Sequence, residues 1–237
     1  MKPIRLDKFL ADAKLGTRSG VRQLLKKGLI TLNGEIVKKP DIKVDPASDR
    51  VLFDGKEIFS EKDVYFMLNK PAGVVSATED RREKTVLDLF SSEDRRRDLF
   101  PVGRLDKDTV GLLLITNDGA LSHRLLSPRR HVDKTYLVHL DRPIPSDAEK
   151  WMEEGLDIGD EKPTLPAYLE VLSETTARIT IQEGRFHQIK RMFHAVGCEV
   201  IYLKRLSMGS LILDPALEEG CYRRLTPEEI NRITSDS

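Results

Sequence analysis

The 237 residues suffice for one large domain or a small domain joined to a medium one, with 39% hydrophobic residues to form a core and 33% charged residues to solvate it. No run reaches the roughly 18 apolar residues of a membrane span, and Met1-Lys2-Pro3-Ile4-Arg5-Leu6-Asp7 lacks the apolar stretch of a secretory signal; with Cys198 and Cys221 in no pairing or metal-ligand spacing, the expectation is a cytoplasmic protein with reduced thiols and no membrane partner. The net charge of 0 conceals a division: residues 1–60 hold 13 Lys/Arg against 8 Asp/Glu and the remaining 177 hold 26 against 31, as for a basic nucleic-acid-docking module attached to a mildly acidic body.

Leu6, Phe9, Leu10 and Ala13 recur at helical spacing and predict a short amphipathic helix ended by Gly16. Thr17 or Ser19 can cap a second helix, with Val21, Leu24 and Leu25 on its apolar side and Gly28 as its stop. Arg18, Arg22 and Lys26, spaced i, i+4, i+8, form one cationic stripe with Lys27 beside it. Asn33-Gly34 between Leu29–Leu32 and Glu35–Val37 predicts a hairpin, and Arg50–Phe53 a further strand after Pro40 and Pro46. A stripe of Lys and Arg is ordinarily a solvated helix face, but this one lies on a unit with little other use. The arrangement resembles the alpha-L RNA-binding domain, named after the fourth protein of the small ribosomal subunit. Arg5-Leu6-Asp7-Lys8, Thr17-Arg18-Ser19, Gly28-Leu29-Ile30 and Leu32-Asn33-Gly34 carry the match over roughly residues 3–58. Such a domain supplies phosphate contacts and positioning rather than base identity.

After the polar link Phe59–Asp63, Val64–Lys70 reads as a strand entering the turn Pro71-Ala72-Gly73. Residues 79–97 are dense in both charge signs. They read as a surface excursion with one helix-like patch, Val86–Phe90, and with an Arg95-Arg96-Arg97 cluster that is either an RNA contact or a solvated loop. Gly103-Arg104-Leu105-Asp106-Lys107-Asp108-Thr109-Val110-Gly111 is a polar turn running into the apolar strand Leu112–Ile115. Two readings of Asp106 stand here: a turn aspartate satisfying local backbone donors, or a carboxylate kept ionised by nearby cations and able to act as a nucleophile.

Thr116-Asn117-Asp118-Gly119 closes that strand, Ala120–Leu126 predicts a short helix, and Pro128-Arg129-Arg130-His131 an exposed basic turn. Lys134–Leu140 alternates as a strand that places Tyr136 with Val138 and Leu140, facing the core or a cleft. Trp151–Gly155 is helical in character, and strands follow around Ala167–Leu172 and Ala177–Gln182. In Glu183–Gly197 an apolar helical stripe (Ile189, Met192, Phe193, Val196) lies beside a polar one (His187, Lys190, Arg191, His194), a face suited to an anionic ligand or a buried carboxylate. The two histidines lie two turns apart with no Cys or carboxylate to complete a ligand set, so no metal is expected. There is also no P-loop, dinucleotide fingerprint or Gly-x-Ser-x-Gly elbow.

Four segments taken together resemble the pseudouridine synthases, specifically the RsuA family: Asn69–Gly73, Gly103–Leu113, Lys134-Thr135-Tyr136 and Glu183–Phe193. The charged segment 79–98 is the least family-like. The resemblance implies an α+β fold. Residues 1–59 would form the alpha-L domain (two helices plus a hairpin), 60–63 a linker, and 64–237 a catalytic domain with a mixed, mostly antiparallel sheet. It implies isomerisation of a uridine in ribosomal RNA, with 16S rRNA or an assembling small subunit as partner, by a monomer without cofactor. Asp106 would be the nucleophile, Tyr136 the ring stacking on the target uracil, and Lys190 the basic partner of Asp106. Arg5, Arg18, Arg22, Lys26, Lys27, Arg104, Arg129, Arg130, Arg185, His187, Gln188 and Arg191 would bind RNA. The alternatives are a large-subunit (23S) enzyme of the same family and a non-catalytic RNA-binding assembly factor.

Overall fold

The computed structural model describes residues 3–13, 15–45, 49–58, 63–95, 98–127 and 130–235. The chain divides into two compact units, Met1–Asp63 and Val64–Ser237.

In the first unit, β1 (Ile4–Arg5) runs into α1 (Leu6–Asp12), followed by α2 (Arg18–Lys26). Thr17 is the residue that caps α2, its hydroxyl accepting from the Gly20 amide at 3.2 Å. The periodic residues Leu6, Phe9 and Leu10 meet Val21 and Leu25 in one buried cluster. The strands β2 (Ile30–Leu32) and β3 (Glu35–Ile36) form a hairpin in which Asn33 and Gly34 both hold positive φ (52° and 91°), the backbone that an Asn-Gly turn supplies at low cost. The strand β4 (Lys43–Val44) pairs with β1, and β5 (Val51–Phe53) with β2. A strand absent from the sequence expectation, β6 (Lys56–Ile58), closes a second hairpin through Asp54-Gly55, a turn signal of the same kind.

The second unit is built on one sheet. Its elements are β7 (Tyr65–Lys70), a 3-10 turn at Val86–Leu89, α3 (Ser92–Arg95), β8 (Phe100–Pro101), β9 (Val110–Thr116), α4 (Gly119–Leu126), β10 (Lys134–Leu140) and α5 (Ala148–Glu154). Then follow β11 (Tyr168–Ser173), β12 (Thr176–Ile181), α6 (Gln188–Ala195), β13 (Val200–Met208), β14 (Leu211–Ile212), β15 (Tyr222–Arg224) and α7 (Pro227–Ser235). The strand order is β11-β12-β10-β13-β9-β7-β15, with β14 beside β13 and β8 beside β9. The pair β9–β13 is parallel and the other pairings are antiparallel, so the architecture is α+β with a mixed, mostly antiparallel sheet.

Both faces of this sheet are covered, which explains why β9 reads as an unbroken apolar run rather than an alternation. Leu113 and Ile115 join Phe66, Val138 and α6 residues Met192 and Phe193 on one side. Leu112 and Leu114 join α4 residues Leu121 and Leu125 and α7 residue Ile233 on the other. The charged stretch 79–97 is not wholly a surface excursion: Val86, Leu87 and Phe90 are buried in the first of these layers. Phe90 stacks on Tyr222 at a centroid distance of 3.9 Å and meets Phe66 edge-on at 5.4 Å. Three apolar side chains outweigh the polar composition around them, anchored by a capping box between Thr85 and Asp88.

Candidate active site

The polar turn between β8 and β9 is gripped from beneath. The strand β7 ends at Lys70, which lies opposite Gly111 of β9 and is fully buried. Its ammonium donates to the carbonyls of Pro71 (3.0 Å), Lys107 (3.3 Å) and Thr109 (2.9 Å). Burial is the main influence on Lys70 and pushes its pKa down to about 8 against the attraction of Asp108 and Asp106. Ser76 grips the residue before Asp106 by donating to the Leu105 carbonyl at 2.8 Å and accepting from the Leu105 amide at 3.0 Å. The Gly73 amide donates to the Lys107 carbonyl at 2.8 Å, and the Thr109 amide to the Asp106 carbonyl at 3.1 Å. Beyond the turn, Gly111 (φ 99°) crosses β13 so closely that a Cβ there would lie 2.3 Å from the Arg205 carbonyl oxygen. Only glycine fits that crossing.

Helix α6 brings the cation. Its N-cap, His187, holds a left-handed backbone (φ 49°, ψ 32°), and one turn later Lys190 reaches back to the polar turn. The Lys190 Nζ lies 3.2 Å from Asp106 Oδ2 and 2.6 Å from Asp108 Oδ1, while His187 Nε2 is 3.7 Å from Asp106 Oδ1. Burial alone would lower the Lys190 pKa, but Asp108 and Asp106 outweigh it and hold the ammonium above the usual lysine value. Burial likewise works to raise Asp108, and the hydrogen bond and charge of Lys190 overcome it, so this carboxylate stays below the usual range. The site therefore keeps a lysine charged between two carboxylates in a partly desolvated cleft.

Tyr136 projects from β10 into the same place, 7% exposed. A cavity of about 80 Å3 is lined by Asp106, Tyr136, Ile181, His187, Lys190 and Leu203, among others. A wider groove of about 810 Å3 continues from Asp106 past Ser76, Thr78, Arg104 and Phe186. One carboxylate, one ammonium, one aromatic ring and apolar walls from Ile181 and Leu203 suit a planar heterocycle presented to an attacking carboxylate.

The residues singled out in the sequence fall into three groups. Asp106, Tyr136, Lys190, Arg104, Arg185, His187 and Gln188 all line this cavity. Several of them are occupied within the protein. Arg185 donates to Glu183 (2.9 Å), Asp160 (3.3 Å) and the carbonyls of Lys162 (2.6 Å) and Pro163 (2.7 Å). Gln188 is buried between Glu183 and the Arg185 amide, and Arg191 holds Asp160 and the carbonyls of Phe186 and Ile158. Arg130 is exposed in the turn after α4, whereas Arg129, Arg96 and Arg97 lie outside the described residues. In the first unit, Arg18, Arg22, Lys26 and Lys27 are exposed on or just after α2. Arg22 lies 3.5 Å from buried Asp7, which Arg5 grips at 3.0 and 3.1 Å. The hydrogen bonds from Arg5, more than its charge, hold the Asp7 carboxyl below its usual range despite burial.

Lys70, Ser76 and Asp108 had no assigned role in the sequence. The one signal was a lysine at the end of an apolar strand, directly before Pro71. The two histidines serve different partners, His187 facing Asp106 and His194 bonding Glu199 at 2.6 Å.

Comparison with known proteins matches residues 64–195 to the RNA pseudouridylate synthase family model and residues 4–51 to the S4 domain. An uncharacterised RNA pseudouridine synthase of Bacillus subtilis, YtzG, is 47% identical over 97% of this chain and 98% of its own length. The ribosomal small subunit pseudouridine synthases A of Yersinia pestis and Escherichia coli are 46% and 44% identical over 97% of this chain and 98% and 100% of theirs. A crystal structure of a pseudouridylate synthase superposes with a TM-score of 0.70 at 41% identity, covering 97% of this chain and 99% of that one. With a carboxylate, a lysine and a tyrosine converging in the second unit, an S4 domain preceding it in the sequence, and matches spanning nearly its whole length, this chain belongs to the RNA pseudouridylate synthase family of isomerases.

Proposed function

We propose that this enzyme converts a specific uridine of small-subunit (16S) ribosomal RNA to pseudouridine, with Asp106 as nucleophile, Lys190 as its ion-pair partner and Tyr136 as the ring against the target uracil. The observation that carries the reading is the Asp106–Lys190 contact of 3.2 Å beside buried Tyr136. The reaction breaks the bond from C1′ to N1 and forms one from C1′ to C5; C5 loses a proton and N1 gains one. No electrons are exchanged, so a carboxylate and a site that controls base orientation suffice. The Lys190 ammonium lies against Asp106 while Asp108 takes another of its N–H donors, so the attacking carboxylate faces a cation.

The target must leave its helical stack to reach Asp106, at a cost of a few kcal/mol offset by stacking and backbone contacts. Exposed Arg18, Arg22, Lys26 and Lys27 of the S4 unit and exposed Arg104 and Arg130 of the catalytic unit supply phosphate contacts. Arg5 contributes while bonded to Asp7, and Arg129, next to Arg130 in the sequence, adds a further cation. Arg185, Gln188 and Arg191 act by fixing the loop that carries His187 to the groove, their donors being taken by the protein itself. The enzyme acts as a monomer in the cytoplasm, where the ribosome is assembled. The relatives named as small-subunit enzymes favour 16S rRNA over its 23S counterpart.

Mapping pseudouridines in the rRNA of cells that lack the protein, and of the same cells given wild type or Asp106→Asn, tests the whole reading. One small-subunit site should vanish, return with wild type and stay absent with the variant. Loss of a large-subunit site instead would move the substrate to 23S rRNA, and an unchanged map would remove the function.

A further inference from the structure

Phe186 is 71% exposed, more than any other large hydrophobic side chain among the described residues. It stands at the mouth of the site, lining the groove that also contains Asp106 and Arg104. Its placement is fixed by several contacts. The His187 ring packs against it face to face, 3.8 Å between centroids and 19° between planes. Its carbonyl accepts from Arg191 Nε at 2.9 Å, and Arg191 is itself held by Asp160 at 2.6 Å. On its other side Arg185 is anchored to Glu183 and two backbone carbonyls. The turn is completed by the left-handed backbone of His187, a conformation that a non-glycine residue adopts only when its surroundings impose it. A rigid loop thus presents one apolar ring to solvent, backed by imidazole on one face, beside a nucleophile whose substrate is a base.

Everting a uridine deprives the bases on either side of it of a stacking partner. An aromatic face at the mouth of the cavity restores that contact, and a phenyl ring does so without hydrogen bonds, hence without reading base identity. We propose that Phe186, backed by His187, is the stacking platform for a nucleobase adjacent to the target uridine. This rests on the uridine-isomerising reading of Asp106 and extends it to the flanking nucleotide. The ring acts on substrate engagement rather than on the bond-breaking step.

The test uses an RNA fragment that wild-type protein has been shown to modify, with 2-aminopurine replacing the nucleotide on the 5′ or the 3′ side of the target. Binding to wild type should quench the probe on one of the two sides. In Phe186→Ala that quenching should disappear and KM should rise roughly tenfold, with kcat nearly retained, as expected for loss of one base–aromatic stack. Phe186→Trp should restore both readouts and Phe186→Leu neither, while the slope of affinity against salt stays unchanged because no phosphate contact is lost. Quenching and KM at wild-type values in Phe186→Ala would overturn the proposal. Failure of the 16S assignment would show earlier and separately, as modification of a different RNA, from which the probe would then be made.

Discussion

Lys70→Met tests how the nucleophile is held. The wild-type ammonium is fully buried and donates to three carbonyls, two of them within the Asp106 turn. Methionine fills a similar volume but leaves the Thr109 and Pro71 carbonyls without this donor, whereas the Lys107 carbonyl keeps the Gly73 amide. Losing charge-assisted hydrogen bonds, offset by no longer burying a charge, should destabilise the second unit by roughly 2–4 kcal/mol at pH 7. The effect depends on pH with a definite sign. Because the folded-state value is lowered from 10.5 to about 8, folded protein binds fewer protons than unfolded chain between those pH values. The penalty for burying the charged amine is therefore complete below pH 8 and is relieved as pH rises toward 10.5, adding about 3 kcal/mol of stability over that window.

Lys134, also pushed down to about 8 chiefly by burial, contributes in the same window, so the quantity to measure is the difference between wild type and variant. Trp151 is the only tryptophan and lies on α5, so its fluorescence reports unfolding of the catalytic unit alone in the full-length chain. Urea unfolding from pH 7 to 10.5 should show the gap between the two proteins widening by about 3 kcal/mol. A displacement of the Asp106 turn by about 1 Å should lower kcat/KM for pseudouridine formation on the order of 100-fold, with RNA affinity unchanged. Parallel stability curves would show that Lys70 is not the group titrating there, and wild-type kcat/KM would show that its three hydrogen bonds do not position Asp106.

Asp106→Asn should abolish pseudouridine formation, measured by mass spectrometry of the product, with RNA affinity nearly intact; turnover at the wild-type rate would remove the nucleophile assignment. Lys190→Met should lose activity while its circular dichroism stays that of wild type, and full activity would end the ion-pair argument. Arg18→Ala with Lys26→Ala is a cleaner test of RNA docking than a change at Arg22, which also faces Asp7. It should weaken binding and reduce the salt-dependence slope by roughly 1–2, with no change in either if the stripe is only solvated. Gly111→Ala, which puts a Cβ 2.3 Å from the Arg205 carbonyl at φ 99°, should cost at least about 2 kcal/mol in the same Trp151 unfolding assay; wild-type stability would mean that β9 and β13 can separate there without penalty.

What the sequence made legible follows the range of each physical signal. Local signals worked: Thr17 caps α2, Asn33-Gly34 turns the first hairpin, and the period of two in β10 buries Tyr136 with Val138 and Leu140. The Asp54-Gly55 hairpin carries a turn signal of the same kind, but its second strand, Lys56-Glu57-Ile58, has a single apolar residue and so no apolar run to mark it. Signals that depend on distant partners did not show. The Val86–Phe90 patch sits in a strongly charged stretch, and its burial becomes intelligible through partners elsewhere in the chain, Phe66 and Tyr222, the latter 132 residues after Phe90. The strand β13, the longest in the sheet, is broken as a pattern by Lys204-Arg205, because buried Arg205 spends its Nε on the Leu112 carbonyl across the parallel pair.

The same distinction separates the chemistry of the site from its support. Asp106, Tyr136 and Lys190 sit in motifs whose wording carries a family resemblance, so their types and order were visible without coordinates. Lys70 looks like the polar end of a strand, and only three carbonyls contributed by two turns make its burial tolerable. Asp108 looks like the spare partner of Asp106, yet it makes the shorter contact to Lys190, 2.6 Å against 3.2 Å. That division of one ammonium has a mechanistic consequence. Asp108, 73% exposed, has Lys190 as its ion-pair partner among the described residues and can be displaced by solvent or by RNA, which would return the full charge of the lysine to Asp106. Asp108→Asn should therefore leave the fold intact and shift the salt dependence of kcat rather than of KM. If kcat and its salt dependence both matched wild type, the second carboxylate would be a bystander and Lys190 would serve Asp106 unaided.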